Sequence, residues 1–99
     1  MKLNLTYDAE NGISPADGLC EKVAEQICKD GGNYTIGSTL LLHYIRLIVK
    51  NGRFSNEEIQ IFYKENIIFM NSDGRLDLWP EGFCDQFDDV LSKLLDWDT

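Results

Sequence analysis

Residues 32–39 spell Gly-Asn-Tyr-Thr-Ile-Gly-Ser-Thr, a G-x-x-x-x-G-S-T spacing one residue away from a phosphate-binding loop. Such a loop needs a lysine where Ser38 stands, to reach the β- and γ-phosphates, and its strand ends before the first glycine. Here Tyr34–Ile36, between the two glycines, is itself strand-like. Chance spacing is the better account. His43 is the single histidine and lies within the longest apolar stretch. Spacing assembles no Ser-His-Asp or Cys-His set around it, so a structural histidine, packed or partly exposed, is expected. Asp85, Asp88 and Asp89 share a helical face and could ligate a divalent cation through oxygen, the enzymatic alternative. Acids in a first helical turn also complement the helix dipole, and that reading is preferred. No catalytic residue, metal ligand or cofactor is therefore expected.

Trp79, Pro80, Gly82 and Phe83 form the strongest interaction candidate. Proline and glycine forbid regular structure there, and two aromatics in a rigid loop either plug the end of a core or anchor a partner. The plug is favoured, because exposed aromatic patches are uncommon on monomers. Cys20, Cys28 and Cys84 contain no C-x-x-C pair and cannot all be bridged. Two of them sit in an apolar helical pattern, as buried free thiols do. An odd count without the apolar core of a signal peptide in Met1–Glu10 points to a reducing compartment, so a cytoplasmic location is expected.

Charge narrows the partners. Seventeen acidic against nine basic residues give a formal charge of −8, the wrong sign for gripping nucleic acid by its phosphates. Six of the acids fall between Glu81 and Thr99, opposed only by Lys93. Solubility explains this most simply, and an acidic inhibitor or DNA mimic that fits a basic partner is the alternative. The apolar run is about half a membrane span and is broken by His43 and Arg46, so no membrane insertion is expected.

These residues must be positioned by one domain over residues 1–99, since a chain of this length supports one modest core. Its centre is Tyr34–Tyr63, where Leu40–Val49 forms an apolar helix between two strand-like runs. Leu40, Leu41, Tyr44, Ile45 and Ile48 make one broad face, widened by Leu42, Leu47 and Val49. Ser38 or Thr39 supplies the cap, and Gly52 the stop. Before it, Leu3–Tyr7 alternates as a strand. Ser14-Pro15-Ala16-Asp17 reads as a helix start for Ser14–Asp30, and Asn33–Ile36 as a second strand. After it, Ile59–Tyr63 and Ile67–Met70 flank the polar link Lys64–Asn66 as a hairpin, and Asn71–Gly74 turns. Phe87, Val90, Leu91 and Leu94 then mark an amphipathic helix over Asp85–Leu95. The order β-α-β-α-β-β-α predicts an α/β sandwich of two or three layers. Two right-handed crossovers would give a mostly parallel sheet with an antiparallel edge hairpin.

Four stretches carry a family resemblance. Leu5-Thr6-Tyr7-Asp8-Ala9-Glu10-Asn11-Gly12-Ile13-Ser14-Pro15 resembles a Walker B strand running into Glu-x-His-Leu-His-Pro, matching at Glu10, Ile13 and Pro15. Thr35-Ile36-Gly37-Ser38 stands where the pattern has Glu-Thr-His-Ser. Residues 52–63 track Gly-Lys-Leu-Ser-Pro-Glu-Asp-Val-x-Ile-Tyr-Phe. Most specific is Asp73–Asp85, which is similar to an Asp-Gly turn followed by Asp-Trp-Pro-x-Gly-Phe-Phe-Asp, with Leu78 and Cys84 as departures. Together they resemble the C-terminal part of ABC-type ATPases of the AAA/OLD-like kind, many of them associated with phage defence.

The resemblance implies a degenerate site. The catalytic glutamate corresponds to Tyr7, the loop histidines to Gly12 and Ser14, and the switch histidine to Gly37; Asp8, Glu10 and Ser38 remain. The phosphate-binding half would lie N-terminal to this stretch. Phosphoryl transfer needs positioned metal, lysine and acid. The resemblance thus implies a non-catalytic interaction module. A full-length ATPase is the expected partner, and an exposed sheet edge would favour homo-oligomers.

Overall fold

The computed structural model describes residues 2–78 and Pro80. Trp79, Gly82, Phe83, Cys84 and the helix expected over Asp85–Leu95, with Asp85, Asp88 and Asp89, lie outside the described residues. Strand β1 is Leu3–Tyr7, helix α1 Cys20–Asp30 and strand β2 Gly32–Ile36. Helix α2 is Thr39–Lys50, and strands β3 and β4 are Ile59–Tyr63 and Asn66–Phe69. The four-stranded sheet has the order β2-β1-β3-β4. β1 runs parallel to both β2 and β3, and β4 returns antiparallel at the edge. The fold class is the α/β arrangement that the alternation of elements predicts.

Period-two patterning decides how the sheet packs. Leu3, Leu5 and Tyr7 point inward from β1 while Thr6 faces solvent. Across the register, Ile36, Ile59, Ile61 and Ile68 share that inner face and join the same buried cluster as both helices. The described residues therefore make two layers, with α1 and α2 packed together on one side of the sheet. From β1 the chain moves one way across the sheet to β2, then crosses back over β1 to β3. With both helices on one face, these connections have opposite hands, so one departs from the right-handed rule. The expected pair of right-handed crossovers is half met.

α2 is the element that the rest encloses. Ser38 Oγ accepts from the Leu41 amide at 3.1 Å and caps it; Gly52, at φ 75°, ends it in the left-handed conformation that glycine takes freely. Leu41, Leu42, Ile45, Ile48 and Val49 are buried, and so are His43 and Arg46. Leu40, Tyr44 and Leu47, expected to share the core face, are half-buried. The buried arc is wider because the loop after β4 also closes on this helix, through Arg46 and Gly74.

α1 begins later than Ser14-Pro15 predicts. Ile13 is drawn to the sheet instead: its amide donates to the Thr35 carbonyl, and its carbonyl accepts from the Gly37 amide, both at 2.9 Å. That bridge holds the chain extended through Ala16 (φ −57°, ψ 149°). A 3-10 turn over Asp17–Leu19 then leads into the helix at Cys20.

Candidate functional site

The carboxyl ends of the parallel strands gather the positions to which the family resemblance assigns a degenerate site: Tyr7, Asp8, Glu10, Gly37 and Ser38. In open α/β sheets this is where ligand crevices form, near the point at which strand order reverses. A cleft of about 420 Å³ opens there between β1 and β3, lined by Thr6, Tyr7, Asp8, Glu10, Tyr63 and Lys64. Tyr7 is buried, and its ring lies 5.9 Å from that of Tyr63 at a tilt of 57°. Lys64 Nζ stands 5.2 Å from the Tyr63 ring centre, within cation–π range. Lys64 takes φ 54° at the first position of the hairpin turn, which carries its side chain to this end of the sheet.

Asp8 is committed to its own turn. Its carboxylate accepts from Asn11 Nδ2 at 3.1 Å and from the amides of Glu10 and Asn11 at 3.0 and 3.2 Å. The Asn11 side chain first, then the two amides, hold its pKa below the ordinary carboxylate value. Next to it the loop lies directly on the end of β2. The Asp8 amide donates to the Ile36 carbonyl, and the Gly12 amide to the Asp8 carbonyl, both at 2.9 Å. A Cβ on Gly12 would come within 2.2 Å of the Ile36 carbonyl carbon. One on Gly37 would meet the Asp8 carbonyl oxygen at 2.8 Å and Ser14 Oγ at 2.9 Å. These glycines are where two backbones touch.

Ser38 is also spoken for, as the α2 cap, with Cys20 Sγ 4.0 Å from its hydroxyl. The spacing of residues 32–39 forms no phosphate cradle. Residues 32–36 are β2, paired in register with β1. His43 is fully buried away from the cleft, its Nδ1 2.9 Å from an Arg46 Nη. Burial first, and the Arg46 charge second, push its pKa down to about 4. Among the described residues no three or more His, Cys, Asp or Glu side chains cluster as a metal site. No helix among them is long and apolar enough to cross a membrane.

The structure thus joins Tyr7, Asp8, Glu10, Gly37 and Ser38 at one end of the sheet, and adds Tyr63 and Lys64, which sequence reasoning missed. Their signal in the sequence was the hairpin link, read there as Lys64–Asn66; in the structure β4 begins already at Asn66. What stands there is a small α/β domain whose carboxyl-end loops are closed on one another. The chain matches the family described as "Protein of unknown function (DUF3696)" over residues 41–94. That is more than half of its length, and the chain belongs to this family. No curated protein and no solved structure matches it.

Proposed function

We propose that this chain is a non-catalytic interaction module, related to the C-terminal lobe that its sequence resembles, and that it acts through protein contact in the cytoplasm. The observation carrying this reading is the closure at Gly37. The position assigned to a nucleotide-sensing histidine has no room for a side chain against Asp8 and Ser14. The position assigned to the catalytic acid holds Tyr7, buried against Tyr63. A full-length ATPase of a phage-defence or mobile-element system is the partner that the resemblance favours. Free, buried Cys20 and Cys28 support a reducing compartment.

The surface that suits such a partner is the outer edge of β2. Gly32, Tyr34 and Ile36 turn their backbone groups toward β1, which leaves those of Asn33 and Thr35 facing outward. Among the described residues, Ile13 occupies this edge, and only at its Thr35 end. An incoming strand, from the ATPase or from a second copy, would extend the sheet at Asn33. Asn33→Pro removes the outward amide and keeps the backbone ladder to β1, at the cost of the Asn4 Nδ2–Asn33 Oδ1 hydrogen bond between the two strands. It is expected to abolish co-elution with the partner, or self-association in light scattering. Retained association would exclude this edge. Micromolar binding of Mg-ATP by the wild-type chain in titration calorimetry would overturn the non-catalytic reading itself.

The −8 charge favours a second reading, an acidic inhibitor that occupies a basic groove. Its affinity would fall steeply with added salt, whereas strand pairing would change little.

A further inference from the structure

The sequence holds two Asn-Gly pairs, Asn11-Gly12 and Asn51-Gly52. Such a pair is reactive, because a glycine carries no side chain to keep its nitrogen from approaching the asparagine Cγ. Both asparagines are exposed. The fold treats the two pairs differently.

Asn11 is held. Its Nδ2 donates to Asp8 Oδ2 at 3.1 Å and its amide to Asp8 Oδ1 at 3.2 Å. Gly12 lies against the end of β2, where even a Cβ would overlap the Ile36–Gly37 peptide. Its amide donates to the Asp8 carbonyl, and Ile13 beside it bonds to both Thr35 and Gly37. Swinging the Gly12 nitrogen toward the Asn11 side chain would break these contacts together. Asp8 and Glu10 also set negative charge beside a nitrogen that must shed its proton to attack.

Asn51 is the C-terminal cap of α2, at φ −82° and ψ 5°. Among the described residues no hydrogen bond holds its carboxamide. Gly52 is exposed, and nothing comes within 4 Å of where its Cβ would stand. Its amide makes one bond, to the Val49 carbonyl at 2.9 Å, in a last helical turn, where fraying is easiest. The flanking charges are Lys50 and Arg53, which favour loss of the amide proton.

We propose that Asn51 is a spontaneous modification site of the folded chain, converting through a cyclic imide to aspartate and isoaspartate, while Asn11 is protected. The Gly52 nitrogen gives its proton to water and bonds to Asn51 Cγ. The Cγ–Nδ2 bond breaks, and Nδ2 takes a proton from water and leaves as ammonia. Water then opens the five-membered imide at either carbonyl. Net, one water is consumed and one ammonia released, with no change of oxidation state. Either product puts a carboxylate at the negative end of the α2 dipole. Opening at the main-chain carbonyl also routes the backbone through Cγ and lengthens it just before Arg53. The Arg53 amide donates to the Ile48 carbonyl at 3.0 Å, and its Nη2 meets Glu25 Oε1 on α1 at 3.3 Å. Modification at Asn51 therefore strains the seam between α1 and α2.

Peptide mass mapping of the full chain aged at pH 8 tests this, with wild type in buffer, wild type in urea and Asn51→Gln in buffer. Expected in buffer is the amide-to-acid mass gain at residue 51, in two chromatographic forms, about tenfold or more faster than at residue 11. In urea the two sites should convert at similar rates, since the fold alone separates them. Asn51→Gln must close a larger ring and should show no gain at residue 51. Conversion at residue 11 as fast as at residue 51 in buffer would overturn the proposal. So would an Asn51 that stays intact in buffer and converts only in urea.

Discussion

An Arg46 Nη atom approaches His43 Nδ1 to 2.9 Å, one turn along α2, with both side chains buried. A guanidinium only donates, so Nδ1 is the acceptor and the imidazole is neutral, its proton on Nε2. Folded His43 therefore resists protonation until about pH 4, against an ordinary value of 6.5.

Stability should follow that difference. Between pH 6.5 and about 4 the unfolded chain binds a proton that the folded chain refuses. His43's contribution is thus complete above pH 6.5 and is lost as pH falls through that window. Full traversal is worth about 3 kcal/mol. Urea unfolding of wild type and His43→Asn at pH 7 and pH 4.5 measures it. The variant keeps an acceptor for Arg46 but cannot titrate, so its acid-side loss should be visibly smaller.

Arg46 links α2 to the loop after β4, its Nε donating to the Gly74 carbonyl at 2.8 Å. Gly74 is buried, and at φ 84° its backbone places that carbonyl against the helix. Arg46→Leu keeps the apolar stem but strands the carbonyl and the His43 acceptor. A loss on the order of 2–4 kcal/mol is expected by chemical denaturation. Arg46→Lys should recover part of it, since one ammonium reaches one acceptor but does not reproduce the guanidinium fork.

Gly12 and Gly18 separate close approach from mere flexibility. A methyl at Gly12 would overlap the Ile36–Gly37 peptide, whereas one at Gly18 meets nothing within 4 Å. Gly12→Ala should cost about 3 kcal/mol or more, because the whole 8–14 loop must lift from β2. Gly18→Ala should be neutral or stabilise by about 0.5 kcal/mol through the unfolded chain. Thermal melts of the two variants side by side decide it. A mild Gly12→Ala would mean that the loop is not held against the strand.

What was legible in the sequence is what local pattern controls. The alternation Leu3-Asn4-Leu5-Thr6-Tyr7, the apolar run of α2 and its Ser38 cap each specify their element without help from elsewhere. The antiparallel hairpin is equally local. The start of α1 was misread because Ser14-Pro15 is a sound cap pattern overridden by a distant partner, the Ile13–Ile36 bridge. The hand of the crossovers escaped for the same reason, since no local residue encodes on which face a helix packs. At the site, Tyr7 and Asp8 were recognisable by position. Lys64 and Tyr63 join them only through the β1–β3 pairing, and the closeness of Gly12 to Gly37 exists only once β2 lies beside β1.

Cys28 offers a test of how tightly the helical layer closes. It lies on the buried face of α1, and burial pushes its thiol up to about 11 from 9.0, outweighing the opposing pull of the Arg53 charge. At pH 8 only on the order of one molecule in a thousand then carries the reactive thiolate, where a thiol at the ordinary value has roughly a tenth. Iodoacetamide labelling followed by peptide mass analysis should leave Cys28 nearly untouched in the native chain and modify it readily in urea. Cys20, fully buried with its pKa raised by the same cause, should behave alike. The raised value also fixes a sign on the alkaline side. From about pH 9 to about 11 the unfolded thiol ionises and the folded one does not, so stability falls as pH rises through that range. Cys28→Ala should reduce that alkaline slope, leaving the share that Cys20 contributes, and keep the acid-side slope of His43 in place. Native labelling of Cys28 at the rate seen in urea would show that α1 opens from the sheet without global unfolding.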